Sequence, residues 1–268
     1  MKSSEPKVSK VKPPKKTTSK KVVAKKVVAG TGVVSAKQFI ERLKALRSDV
    51  ELEKIQRYFK SGEGEYSEGD VFIGVRMGLV FALAKEFMNM QPNEIEKLLE
   101  SPIHEVRTGG VSIMDFQARN KRTTESRRKE LFDLHINRHD RINNWDLVDR
   151  SAPHVVGGYL FDKPRKILYK LAVSKNMWER RTSIVSTFFF IRKGDVDDTF
   201  KLAEILLHDK EDLIHKAAGG WIREAGKKNR QRLMTFLDHY AIIMPRTMLR
   251  YAIEHFDKKQ RDYYLNLK

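Results

Sequence analysis

The chain has 268 residues, 40% hydrophobic and 33% charged, with 53 Lys and Arg against 35 Asp and Glu for a net charge of +18. That supplies a core for one large domain or two small ones, and the cationic excess predicts a polyanionic partner, nucleic acid ahead of an anionic membrane. No cysteine is present, which excludes disulfides, thiolate nucleophiles and Cys-ligated zinc or iron–sulfur clusters, and no apolar run approaches the ~18 residues that span a bilayer. An intracellular protein is expected, in cytoplasm, nucleoid or nucleus.

Residues 1–35 are Lys, Pro, Ser, Thr and Val without a helical period. Residues 1–30 hold ten lysines against Glu5 alone, half of the net charge. This reads as a disordered basic arm, able to hold DNA through counterion release or simply to stay solvated. No apolar stretch follows the lysines, so it is not a secretory signal. The folded domain is expected over 36–268.

From Ser35 the pattern turns helical. Phe39, Leu43 and Leu46 form one stripe, and Leu52, Ile55, Tyr58 and Phe59 a second. Ser61 to Asp70 is a loop whose glycines alternate with acids, so it would repel phosphate. A helix is expected from about Arg76 to Phe87, and Ser101-Pro102 reads as a cap with proline at the first helical position. The Lys/Arg-crowded segment 118–130 reads as a loop or exposed face.

Beyond Asp140 the chain repeats loosely. Asn144-Trp145-Asp146, Asn176-Met177-Trp178-Glu179-Arg180-Arg181 and Gly220-Trp221-Ile222-Arg223-Glu224 each place Trp ahead of an acid or Arg, at the spacing of a two-helix repeat. Ser186–Ile191 is then the inner helix of a repeat rather than a strand. The fold class is all-α, an α–α superhelix of HEAT-like helical repeats with a concave surface lined by the equivalent turns of successive repeats, the three Trp segments among them.

The stretch Asn143–Asp149 puts an indole and two carboxylates on little more than one helical turn of a basic protein. Asp146 and Asp149 are three apart and Trp145 and Asp149 four apart, so on a helix they share a face. A flat aromatic beside an anion suits a cationic or planar ligand, whereas a core Trp and a capping Asp are the plainer alternative.

Asn144-Trp145-Asp146-Leu147-Val148-Asp149 with Ser151-Ala152-Pro153 resembles the DNA alkylation repair family, the HEAT-like-repeat alkylpurine DNA glycosylases. Also similar are Phe72-Ile73-Gly74-Val75-Arg76, Met177–Arg181 with Ser186-Thr187-Phe188, His215-Lys216-Ala217 with Arg223-Glu224-Ala225-Gly226-Lys227, and Met244–Tyr251, in order over about residues 50–265. The resemblance implies a concave DNA-binding groove and hydrolysis of the N-glycosidic bond of N3- or N7-alkylated purines in double-stranded DNA, without metal or cofactor, and without flipping the damaged base into a pocket. It matches the catalytic aspartate to Asp149, the aromatic one turn earlier to Trp145, and an arginine meeting the DNA backbone to Arg181. Arg76 falls in the early Gly-Val-Arg motif, and Tyr58 matches a family aromatic near the groove, with a core Tyr as the alternative. Trp221, Arg223, Arg246 and Arg250 complete the expected DNA-binding set, the arginines serving as a phosphate strip or as solvated charge. The histidines show no metal-ligand spacing, so His104, His154 and His215 are expected to be structural. A monomer without membrane association is expected.

The chemistry suits these residues. An N-alkylated purine is already cationic and leaves without a general acid, so the task is to stabilise an oxocarbenium-like sugar, which a carboxylate does electrostatically. Two positions depart from the family pattern. Gly219-Gly220-Trp221-Ile222-Arg223 puts glycine where the family has its indole, and one residue is a helical rotation of ~100°, which would turn Trp221 toward the core. Gly78 stands where the family has proline. A catalytically silent DNA-binding relative and a protein-interaction scaffold are the alternatives.

Overall fold

The computed structural model describes residues 34–59 and 65–267. The basic arm, except for residues 34–35, and residues 61–64 of the glycine–acid loop lie outside them. The described residues belong to one folded unit. Its helices are α1 (Ala36–Lys44), α2 (Asp49–Tyr58), α3 (Met77–Glu86), α4 (Pro92–Leu99), α5 (His104–Arg119), α6 (Glu125–Asn137), α7 (Trp145–Ser151), α8 (Gly158–Leu160), α9 (Lys166–Ala172), α10 (Met177–Arg192), α11 (Asp197–Ile205), α12 (Asp212–Lys228), α13 (Arg230–Tyr240), α14 (Arg246–Ala252) and α15 (Lys258–Asn266). Among the described residues the only β pairing is an isolated parallel bridge between Val71 and Ile103.

The helices form two layers. An inner row runs α3, α5, α7, α10, α12, α14, each packed on the next, while α4, α6, α9, α11 and α13 cover it from outside. This is the α–α superhelix of HEAT-like repeats expected from the sequence. Ser186–Ile191 lies inside α10, as expected. No helix among the described residues is long and apolar enough to cross a membrane.

Local signals set the helix ends. Ser35 opens α1 with a capping box shared with Gln38, and Ser48, Thr124, Asn144 and Asn176 cap α2, α6, α7 and α10 through side-chain oxygens. Phe39 and Leu43 are fully buried, but α2 buries none of its residues, and of its expected stripe only Phe59, just past its end, is buried. Residues Ile55 and Tyr58 of that stripe face a cavity described below. The helix start falls two residues beyond its expected place, with Ile103 rather than Ser101 at the N-cap. The Pro102 carbonyl accepts from Val71 N–H and the His104 N–H donates to Val71 O, so the segment is held extended and α5 begins only at His104. Segment 118–130 is not a loop throughout. Only a short turn separates α5 from α6, and Arg128 of α6 donates to the Ala118 and Asn120 carbonyls at the end of α5.

The Phe72–Arg76 motif proves to be an anchored turn. The fully buried Glu105 accepts hydrogen bonds from the backbone N–H groups of Ile73, Gly74 and Val75 at 2.9–3.3 Å. Gly74 has φ +78°, and a Cβ there would stand 2.2 Å from the Ser48 carbonyl oxygen, so both its conformation and its neighbour require glycine.

After α7 the chain widens into a π-helical turn, Ala152–Gly157. Pro153 has no N–H to offer the carbonyl of Asp149, and its ring excludes that carbonyl from the usual ladder. A π-bulge is a known solution, frequent at functional sites. A Cβ on Gly157 would meet the Ser186 carbonyl at 2.1 Å, so α10 crosses this turn at the closest approach a glycine allows.

Candidate active-site cleft

The inner row borders an open cleft of about 950 Å³, walled by Tyr58, residues 65–66, and parts of α7, α10, α12 and α14. Three residues at the start of α7 carry different duties. Asn144 is fully buried; its side-chain oxygen accepts from Trp145 N–H while its amide donates to Ser67 Oγ (2.6 Å) and Asp70 Oδ2 (3.0 Å). Trp145 stacks on Phe59 (centroids 5.7 Å, 17° between planes) and meets Tyr58 edge-on at 6.0 Å. Asp146 accepts from His104 Nε2 at 2.8 Å.

His104 sits fully buried between two carboxylates, with Asp70 Oδ2 3.2 Å from its Nδ1. Arg107 also pairs with Asp70. Burial alone would push the imidazole down, but Asp146 and Asp70 outweigh it and raise its pKa to about 9. An imidazolium under the Phe59 ring, which it meets at 4.9 Å, thus supports the ring on which Trp145 is stacked. The expected common face of Asp146 and Asp149 is not found. Three residues turn a helix through ~300°, and the remaining offset sends Asp146 inward while Asp149 enters the cleft.

Asp149 is bound through both oxygens to Arg181, Oδ1 to Nε and Oδ2 to Nη2, each at 2.8 Å. Arg181 Nη1 donates to the Leu213 carbonyl at 2.6 Å, and the residue is only 6% exposed. This corrects the phosphate-facing placement the resemblance implies: the guanidinium is committed to the protein, and bidentate pairing fixes the carboxylate's orientation. About a third of the Asp149 side chain stays exposed to the cleft.

Trp221 and Gly220 both line the cleft. Trp221 has not turned into the core; it is half-buried against Phe188 (4.9 Å), and its indole N–H has no hydrogen-bond partner among the described residues. The adjacent glycines differ. A Cβ on Gly219 would meet the Met248 carbonyl oxygen at 2.4 Å, which is how α12 and α14 pack so closely, whereas nothing lies within 4 Å of one on Gly220. The cleft is therefore open where the family pattern has an indole.

The other expected residues divide. Tyr58 is 65% exposed at the cleft, not a core residue. Arg223 lines the cleft but is paired with Glu254 and Glu224. Arg76 pairs with Glu51 outside the cleft, Arg246 donates to the Leu265 carbonyl, and Arg246 and Arg250 are not among the cleft residues. Of the three tryptophans only Trp178 is buried. It sits near the start of α10, as Trp145 does in α7, but Trp221 lies mid-helix, so the three do not occupy equivalent turns. His154 is 3.0 Å from the buried Asp115, and His215 lies 2.7 Å from the Asp209 carbonyl, both in structural contacts.

Sequence reasoning missed Tyr66, Tyr251, Glu211, Asp212 and Lys216 at the cleft. Lys216 and Tyr251 lie inside two motifs used for the resemblance and were findable there. Tyr66 was hidden in a loop judged only by its charge. The full lining gives five aromatic residues (Tyr58, Tyr66, Trp145, Trp221, Tyr251) and sets four carboxylates (Glu65, Asp149, Glu211, Asp212) against three cations (Arg181, Lys216, Arg223). In a chain of net charge +18, the described lining of this cleft carries one more carboxylate than cation.

The sequence model for "DNA alkylation repair enzyme" matches residues 39–256. No curated protein matches. Among solved structures the chain is similar to a "Predicted DNA alkylation repair enzyme from Enterococcus faecalis", at TM-score 0.64 and 17% identity over 79% of this chain and 97% of that one. A structure described as belonging to "a new family of proteins related to the HEAT-like repeat DNA glycosylases with affinity for branched DNA structures" matches at TM-score 0.51 and 13% identity, covering 82% of this chain and 83% of that one. AlkD2 from Streptococcus mutans matches at TM-score 0.50 and 16% identity, covering 83% and 100%. At these identities the likenesses establish the fold, and with a family match spanning most of the chain, the protein belongs to the DNA alkylation repair enzyme family.

Proposed function

We propose that this chain is a DNA glycosylase that hydrolyses the N-glycosidic bond of N3- or N7-alkylated purines in duplex DNA. The observation that carries this is the oriented carboxylate of Asp149, one helical turn from Trp145 in an aromatic cleft whose acids outnumber its bases. An alkylated purine is cationic, so the aromatic faces and carboxylates favour it over a neutral base. As the bond from C1′ to the purine nitrogen breaks, the electron pair leaves with the base, which becomes neutral. Positive charge moves to the sugar, where Asp149 stabilises it. Water then adds at C1′ and releases a proton, giving free base and an abasic site. Arg181 acts as a positioning residue: both carboxylate oxygens are fixed by it, and its link to Leu213 ties α7 to the start of α12.

The open space at Gly220 favours a second reading, a DNA-binding relative without excision activity, and one structural relative is described as having affinity for branched DNA. The two separate on one experiment. Incubation with duplex carrying N3-methyladenine is expected to release free base and leave abasic sites. Tight binding to that duplex or to a branched junction, with no abasic product, would transfer the assignment to the second reading.

A further inference from the structure

A second cavity of about 610 Å³, also bordered by Trp145, lies between α2, α3, α5 and α7. Its apolar walls are largely aromatic: Ile55, Phe59, Met77, Phe81 and Trp145. Its charged groups leave a cationic excess. Lys54 and Arg76 share the single carboxylate of Glu51, at 2.9 and 2.8 Å. Arg150 lies over the rings of Phe81 (4.6 Å) and Phe116 (4.9 Å), and its partner Asp115 also serves Arg119 and His154. The remaining carboxylate, Asp146, is engaged by His104. A flat apolar chamber with unbalanced cations suits a ligand with an aromatic body and an anionic end.

We propose that this cavity binds one unstacked nucleotide, with its base against Trp145 and Phe81 and its phosphate at Lys54 and Arg76. Trp145 and Tyr58 wall both this cavity and the cleft, so a strand lying in the cleft passes its mouth. Stacking of a base on aromatic side chains tolerates any sequence, and the phosphate adds the charge-assisted contact. The cavity shares Trp145 and Tyr58 with the cleft but does not touch Asp149, and its test needs neither duplex nor activity.

The experiment is titration of the whole chain with deoxyadenosine monophosphate, followed by calorimetry and by tryptophan fluorescence, with deoxyribose 5-phosphate, inorganic phosphate and dodecanoate as comparison ligands. The nucleotide is expected to bind at least about tenfold more tightly than either phosphate alone, the scale of one base–aromatic stack. Met77→Trp, which fills the chamber, is expected to weaken it by about tenfold or more on the same scale. The exposed double change Lys54→Gln with Arg76→Gln serves where Met77→Trp does not fold, and is expected to weaken the nucleotide and leave dodecanoate unaffected. Nucleotide binding undiminished in either variant, or dodecanoate bound in preference to the nucleotide, would overturn the assignment.

Discussion

Asp149→Asn is expected to slow release of an alkylated purine by about 10²–10³-fold, the usual effect of removing one preorganised electrostatic group at a reacting centre. Asparagine keeps the shape and one hydrogen bond to Arg181 but loses the charge that faces the developing oxocarbenium ion. Duplex affinity should change little, because Asp149 contributes no cation to the phosphate backbone. Some stability will also be lost, since Arg181 is buried and Asp149 is its only ionic partner among the described residues. Single-turnover rates measured below the melting temperature of the variant separate the two effects. Undiminished release by Asp149→Asn would remove this residue from the mechanism.

The second large effect is expected at His104, which no reading of the sequence singled out beyond a structural role. His104→Leu leaves Asp146 without its buried cation and Asp70 with Arg107 and the Asn144 amide. Breaking a buried pair by removing one partner costs about 3–5 kcal/mol, and for a domain of this size that is a fall of about 6–20 °C in Tm. The imidazole also predicts a pH dependence. Its pKa rises from 6.5 to about 9 on folding, so the protonated ring stabilises the fold fully below pH 6.5. That contribution falls steadily as pH rises toward 9 and is gone above it. Wild-type Tm measured from pH 6 to 10 should show this decline, and His104→Leu should lack it. Equal slopes in the two proteins would show that the histidine is neutral in the fold.

The layers of the fold and the centre of the cleft were legible because both rest on local pattern. Helical spacing marks the elements, and the Trp145–Asp149 spacing alone places an indole and a carboxylate one turn apart. What was not legible depends on contacts across the chain. Glu105 reads as an ordinary helical acid until Ile73, Gly74 and Val75 donate to it. Arg181 reads as a cation for phosphate until Asp149, 32 residues away, takes its Nε–Nη2 edge and the Leu213 carbonyl takes Nη1. Trp221 was expected to turn inward by a one-residue rotation, yet the close crossing of α12 and α14 at Gly219 sets the helix so that Gly220 and Trp221 both border the cleft. Nothing in the order of residues separates Gly219 from Gly220; only the neighbouring helix does.

The most direct measurement is free-base release from two otherwise identical duplexes, one carrying N7-methylguanine and the other hypoxanthine. The first base is cationic, the second neutral. An anionic aromatic cleft with no need of a general acid predicts rapid release of N7-methylguanine and little or none of hypoxanthine. Comparable release of both, or release of hypoxanthine alone, would contradict a mechanism that relies on the charge of the leaving base.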